Sequence, residues 1–315
     1  MPVMRSPTQR SLTLDDVAAI VREGLGCDVS AGAELTGGGF ATVWRATLRS
    51  GDAVVVKVGP PPEAPLLGYE RQLLPAEAEY LRIVRAEVPG VPVPEVLATS
   101  ALGAEPSWLI TTLLPGRPLT EGDSPEARRQ LGAAVARVQT VTGPRFGYTG
   151  DRPSGESWPA VFAAMVDQLR ADADHWNVPL PSLDGLLARH HDALAEVTRP
   201  ALLHWDLWDG NVLVAPDGSL SGVVDGERFL YGDPLLDLVS PALFRRIEDE
   251  PEHPFLAGYA RTEPWTSAAL VRLALYRVHL YTLMLTEGPS RGIPAGGERH
   301  DYLTGLLTAE LKHLS

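Results

Sequence analysis

Four polar residues, His204, Asp206, Asn211 and Asp225, stand at spacings that suit phosphoryl chemistry. The string Leu202-Leu203-His204-Trp205-Asp206-Leu207-Trp208-Asp209-Gly210-Asn211-Val212-Leu213-Val214 reads as an apolar strand, a polar loop and a second apolar strand. Ala215-Pro216-Asp217-Gly218 makes a turn, and residues 220–224 return as a strand that ends at Asp225. Such a hairpin brings Asn211 and Asp225 together at the end of the paired strands. One carboxylate and one amide oxygen suit Mg²⁺ that also binds phosphates. Asp206 lies in the loop, away from that pair, where it could accept a proton from a hydroxyl.

The elements that must position these groups are legible on both sides. Thr13 and Asp16 form a helix-start box, and Leu14, Val17, Val21 and Leu25 recur at helical spacing. Gly37, Gly38 and Gly39 precede Thr42-Val43-Trp44; a Ser50-Gly51-Asp52 turn then leads to a strand over residues 53–58, giving a Gly-rich hairpin. Its glycines do not fit the dinucleotide-binding spacing. As a lid over phosphates they would let backbone N–H groups approach the anion, with a hydroxyl contact from Thr42. Lys57 shares a strand face with Ala53 and Val55. Pro75 suits the first position of a helix over residues 76–86. Residues 108–113 form a strand, and Pro115-Gly116 breaks the chain, which sets two lobes, 1–116 and 117–315. Beyond it the pattern is mostly helical: Leu131, Val135 and Val138 share one face, and residues 158–197 and 268–314 are further helical regions.

Composition narrows the class. The chain has 315 residues, 44% of them apolar and 21% charged, as in a globular protein with a large core. A single cysteine, Cys27, allows no internal disulfide, and the cytoplasm is the expected compartment. Asp15 and Asp16 interrupt any signal-peptide core, and residues 271–285 are too short and too charged to span a bilayer. A net charge of -13 argues against a nucleic-acid partner and would suit a cationic substrate.

His204-x-Asp206, Asn211 and Asp225 together resemble the catalytic loop and metal motif of protein-kinase-like folds. With Gly210 before Asn211, the loop is similar to that of the aminoglycoside phosphotransferase family, which includes choline, homoserine and fructosamine kinases. Asp206-Leu207-Trp208 looks like the fructosamine kinase branch, and Gly232-Asp233-Pro234 and Asp237-Leu238 resemble the segment that follows the metal aspartate. The resemblance implies an α+β, bilobal fold with a small β-rich lobe covering ATP. It also implies transfer of the γ-phosphate to a hydroxyl of a small molecule. Asp206 would be the base, Asn211 and Asp225 would hold Mg²⁺, and His204 would brace the loop. Lys57 would hold the α- and β-phosphates and needs a carboxylate to fix it. Glu77 shares a helix face with Leu81 and Val84, whereas Glu79 points away and Glu70 precedes the helix, so Glu77 is selected. Residues 108–116 resemble the adenine hinge, with backbone groups of Thr112 and Leu114 on the base edge.

The sequence departs from the family at three places. Trp205 stands where glycine is usual, Gly226-Glu227 follows the metal aspartate in place of an aromatic residue, and Val138-Gln139 replaces Leu-His. Trp205, Trp208 and Asp209 could hold a sugar ring or an ammonium group, or the indoles could fill the core under the loop. Glu227 is a second metal-shell or substrate group, or a solvated loop charge. Glu298 and Asp301 are further acceptor contacts to test. The acceptor is then an aminoglycoside or other amine-bearing antibiotic, which would make the chain a resistance enzyme. The alternative is a metabolic sugar, ketosamine or amino alcohol; a non-catalytic nucleotide-binding regulator is a third reading.

Overall fold

The computed structural model describes residues 5–36, 38–260 and 263–315. The first helix, α1 (Leu14–Leu25), begins at Thr13 with the reciprocal Thr13–Asp16 capping box and ends at Gly26 in the left-handed region. Then come β1 (Val29–Leu35), β2 (Thr42–Leu48), β3 (Ala53–Val58), α2 (Leu73–Glu87), β4 (Val96–Thr99) and β5 (Trp108–Thr112). The strands form one antiparallel sheet in the order β1-β2-β3-β5-β4. Val54, Val56 and Val58 of β3 pack in a core that includes Val17 and Val21 of α1. The two-residue period of the strand sends Val55 and Lys57 to the other face. The edge strand β1 has no counterpart in the sequence reading, because its exposed residues give no apolar run. The second helix, α2, starts at Leu73, before Pro75. Proline is tolerated there because N–H groups of the first turn have no intrahelical partner.

The chain leaves this sheet at Thr112 and next pairs as β6 (Arg117–Pro118) in the other lobe. There follow α3 (Pro125–Val138), β7 (Phe146–Gly147), β8 (Ser154–Gly155), α4 (Trp158–His175), α5 (Leu186–Arg189) and α6 (His191–Ala195). Short strands β9 (Ala201–Leu203), β10 (Val212–Val214), β11 (Leu220–Val223) and β12 (Leu230–Gly232) carry the polar loops between them. They sort into two sheets, β11-β10-β6 and β8-β7-β12-β9. The lobe closes with α7 (Pro254–Tyr259), α8 (Ser267–Ser290) and α9 (Glu298–His313). The sheets pack against these helices in one core that includes Trp158, Phe162, Phe229 and Tyr276.

Two features of this lobe position the site. Helices α3 and α7 cross at glycines: a Cβ on Gly258 would fall 1.6 Å from the carbonyl oxygen of Arg129, and one on Gly132 2.0 Å from that of Phe255. The close crossing fixes α3, which carries Arg128. The terminal helical region is made of two helices parted by a loop in which Gly292, Gly296 and Gly297 take positive φ. Helix α8 has 24 residues and is, by length and composition, long and apolar enough to cross a membrane, which corrects the shorter span read from sequence. Its most apolar stretch is 72% buried within the fold, and Arg277 is sealed there by Glu248 at 2.6 Å and Glu310 at 2.9 Å. It is a core helix of this lobe.

Candidate active site

The cleft between the lobes is built around one lysine. Lys57 Nζ donates to Glu77 Oε1 at 2.6 Å, to Glu77 Oε2 at 2.8 Å and to Asp225 Oδ1 at 2.5 Å. Glu77 reaches it because α2 turns that residue inward with Leu81 and Val84, all three buried. Burial opposes the lysine's charge, but Asp225, Glu77 and Glu227 outweigh it and hold its pKa above the ordinary lysine value. Burial pushes the Glu77 carboxyl up, with Lys57 opposing.

The hairpin of β10 and β11 pairs Val212 with Val223, and Val224 N–H donates to the Asn211 carbonyl at 3.0 Å. Asp225 follows at φ 67°, a left-handed conformation that its short polar side chain tolerates better than most. Glu227 is buried, and not a solvated charge: oxygens of Glu77, Asp225 and Glu227 lie within 4.8 Å of one another. Burial raises the Glu227 pKa well above the usual carboxylate range, and Asp225 and Glu77 add to the rise. Three clustered carboxylates served by one lysine could hold a hard divalent cation, with Glu227 among them. Asn211 gives its side-chain N–H groups to the Asp206 carbonyl oxygen at 2.9 Å and to Asp206 Oδ2 at 3.3 Å, which leaves Oδ1 as the atom it can offer a cation.

The loop bearing Asp206 is held from below. Asp237 accepts the His204 N–H at 3.2 Å and the Trp205 N–H at 2.7 Å through its two carboxylate oxygens. The His204 ring links loop to hairpin: Nδ1 accepts from the Asp206 N–H at 3.2 Å, so Nε2 carries the proton and donates to the Val224 carbonyl at 3.0 Å. Burial lowers the pKa of His204 to about 4, which keeps it a neutral brace. Burial likewise pushes the Asp206 carboxyl up to about 6, with Asp225 and Glu287 adding and Arg228 and Asn211 opposing. Asp209 meets Arg128 of α3 through both oxygens, at 2.7 and 2.8 Å, tying the loop to that helix.

A cavity of about 690 Å³ opens in front of Asp206 and Asp225, roofed in part by Gly38, Gly39 and Phe40. Trp208 lines it, but Trp205 does not. The Trp205 indole is 1% exposed and lies 5.4 Å from the His279 ring, so it fills the core under the loop. Its backbone is at φ 66°, which explains why a residue without Cβ is usual at this position. Thr42 is fully buried and donates its hydroxyl to the Arg10 carbonyl at 2.9 Å, so it faces the amino-terminal segment. Thr112 gives its N–H to the Glu95 carbonyl at 3.0 Å, so that group is not free for an adenine edge. Leu114 packs against β11 at Gly222 and is not among the residues that line the cavity. Asp209 is taken by Arg128, and Glu298 and Asp301 are exposed and do not line the cavity. Gly37 lies outside the described residues.

Sequence reasoning missed Arg228 and its partners. Its guanidinium bonds Glu287 at 2.6 Å, lies 5.5 Å from the Tyr69 ring centre and comes within 3.9 Å of Asp206 Oδ2. Tyr69 also bonds Glu287, and Glu70, buried, bonds Arg291. A basic residue three after Asp225 was the available signal, and the sequence reading gave it no role.

Comparison with known proteins agrees with this geometry. Residues 33–271 match the model of the Phosphotransferase enzyme family, APH. The probable ketoamine kinase YniA of Escherichia coli K12 is 30% identical over 233 residues, which cover 68% of this chain and 75% of that protein. A crystal structure of a candidate fructosamine-3-kinase from Thermobifida fusca YX-ER1 superposes with a TM-score of 0.69 at 24% identity, covering 95% of this chain and all of that one. The aminoglycoside phosphotransferase APH(4)-Ia, solved with AMP-PNP and hygromycin B, superposes with a TM-score of 0.59 at 18% identity over 94% of this chain and 97% of its own. The fold is thus the α+β protein-kinase-like fold, and the chain belongs to the Phosphotransferase enzyme family of small-molecule kinases.

Proposed function

We propose that this enzyme transfers the γ-phosphoryl group of ATP to a hydroxyl of a sugar-derived amine of the ketosamine class, in metabolism and not as an antibiotic kinase. The observation that carries the reaction is that Asp206 and Asp225 line one cavity while Lys57 bonds Asp225 at 2.5 Å. Lys57 would hold nucleotide phosphates, its ammonium fixed by Glu77. Asp225, Glu227 and Asn211 would hold Mg²⁺, which when bound neutralises charge on the phosphate oxygens. Asp206 accepts the acceptor's hydroxyl proton as the new O–P bond forms, and the bond from the γ-phosphorus to the departing ADP oxygen breaks. His204 and Asp237 hold the loop so that this carboxylate does not swing away. Support for the acceptor class comes from the ketoamine kinase relatives. The antibiotic reading, first from sequence alone, becomes second. The cysteine-poor composition supports a cytoplasmic setting.

The test is ADP release with fructosylglycine, ribose, ethanolamine, hygromycin B and a macrolide, with Asp206→Asn as the blank. Turnover is expected with fructosylglycine and a loss of roughly 10²–10⁴-fold in the variant while nucleotide still binds. Preferred turnover of hygromycin B or the macrolide would return the antibiotic reading. Wild-type rates in Asp206→Asn would remove the base assignment.

A further inference from the structure

The acceptor end of the cleft is walled by carboxylates that already have partners. Glu34 meets Arg5 at 2.7 Å, and Glu287 meets Arg228 at 2.6 Å and the Tyr69 hydroxyl. Glu70, behind the wall, meets Arg291. A polycationic acceptor needs carboxylates free to face its ammonium groups. Drawing Glu287 or Glu70 away from its arginine would leave a buried charge uncompensated. Of the other carboxylates in the lining, Asp206 lies 3.9 Å from Arg228 and is the proposed base, and Asp225 and Glu227 belong to the proposed metal end.

One base at the mouth has no ion pair of its own; the carboxylate it acts on at longer range, Glu287, is already held by Arg228. Arg299, in the first turn of α9, lines the cavity and donates to the Met284 carbonyl at 3.3 Å. Among the described residues no carboxylate lies within ion-pair distance of it. Its neighbours Glu298 and Asp301 fall outside the cavity lining, since residues one and two places apart on a helix point about 100° and 200° away. The helix therefore presents a base to the cleft where the sequence had suggested acids. At the same mouth Leu35 is 41% exposed and Ile293 37% exposed, which gives the site an apolar flank.

We infer that the acceptor carries a carboxylate, held by Arg299 while its hydroxyl faces Asp206 and its apolar part lies on Ile293 and Leu35. A guanidinium suits this task because its planar fork matches a carboxylate. The inference rests on the proposed function and sharpens it: the substrate is a sugar or polyol derivative bearing an acid group, not a polycation. The -13 net charge, which suggested a cationic acceptor, is an average over the surface and does not describe this wall.

The experiment compares kcat/KM for fructosylglycine and fructosylglycinamide, which differ only in the acid, with hygromycin B as the polycation. The acid is expected to be preferred on the order of tenfold at low ionic strength. Arg299→Met should collapse the ratio to about one, whereas Glu298→Gln and Asp301→Asn, on the exposed side of the same turn, should keep it. Equal rates for acid and amide in the wild-type enzyme, or a preference that survives Arg299→Met, overturn the inference and leave the proposed function standing. Turnover of hygromycin B with neither glycated compound overturns both. If none of the three reacts, the ketosamine reading falls, and calorimetry of D-gluconate against D-glucitol on enzyme loaded with AMP-PNP and Mg²⁺ decides the charge preference. Equal binding there overturns it as well.

Discussion

Lys57 and Asp225 stand 168 positions apart in the chain and meet across the cleft at 2.5 Å. The bond joins the strand that carries the lysine to the hairpin that ends at Asp225, so the two lobes share a charge cluster at the proposed phosphate site. Glu77, on the same ammonium, keeps the lysine from following Asp225 alone.

Replacing Lys57 by Met should therefore harm both partners. Turnover is expected to fall by roughly 10²–10³-fold, since one charge-assisted contact to the nucleotide phosphates is lost. Glu77 would remain buried without its cation and Asp225 would lose its partner, so the melting temperature should drop too. Steady-state kinetics and a thermal melt check this; unchanged turnover would separate the lysine from the chemistry.

The raised pKa of Asp206 gives a pH dependence whose sign is fixed. A base must be anionic, and burial sets its pKa at about 6. The reactive form is dominant above that value and is lost below it. We expect kcat/KM to fall about tenfold per pH unit well below 6, and to level off above 7. A profile flat from pH 5 to 8 would contradict the assignment.

At Trp205 two effects oppose each other. Glycine would relieve the left-handed backbone, which costs about 1–3 kcal/mol for a residue with a Cβ. It would also empty the volume of a buried indole, where large-to-small changes cost about 3–5 kcal/mol. Packing should win, and Trp205→Gly should destabilise the fold by about 2 kcal/mol in urea unfolding. A more stable variant would show that the strain outweighs the packing.

Asp237 carries a stability signature as well. Burial pushes its carboxyl up to about 6, above the unfolded value near 3.9. The folded state then binds more protons between these values. The stability from this group is full below the unfolded pKa and is lost as pH rises through 6. In Asp237→Asn that part of the decline should disappear, while total stability falls by about 1–3 kcal/mol because one loop amide loses its acceptor. Urea midpoints from pH 4 to 7 measure both.

The parts of the site legible in the sequence are those set by local periodicity. Helical spacing with Leu81 and Val84 separated Glu77 from Glu70 and Glu79, and strand alternation put Lys57 opposite the valines that pack on α1. The hairpin pattern placed Asn211 within one backbone hydrogen bond of the residue before Asp225. What was not legible depended on remote elements. Trp205 is buried because α8 brings His279 beside it, and Thr42 turns from the cleft because the amino-terminal segment supplies a carbonyl. Arg228 and Arg299 look like ordinary surface charges until α8 and α9 fold back over the loop. The edge strand β1 lacks the buried face that would have announced it.

Asp237 settles a division of labour within the helical lobe. It grips two successive amides of the catalytic loop from a segment that lies outside the acceptor wall, whose outer face comes from Ile293 and Arg299. Substitutions at Leu35, Ile293 and Arg299 can therefore accumulate without touching the carboxylate of Asp206, whereas Arg228 and Glu287 of the same wall set its charge environment. A lineage could exchange one small-molecule acceptor for another by altering these outer residues while the chemistry stayed in place.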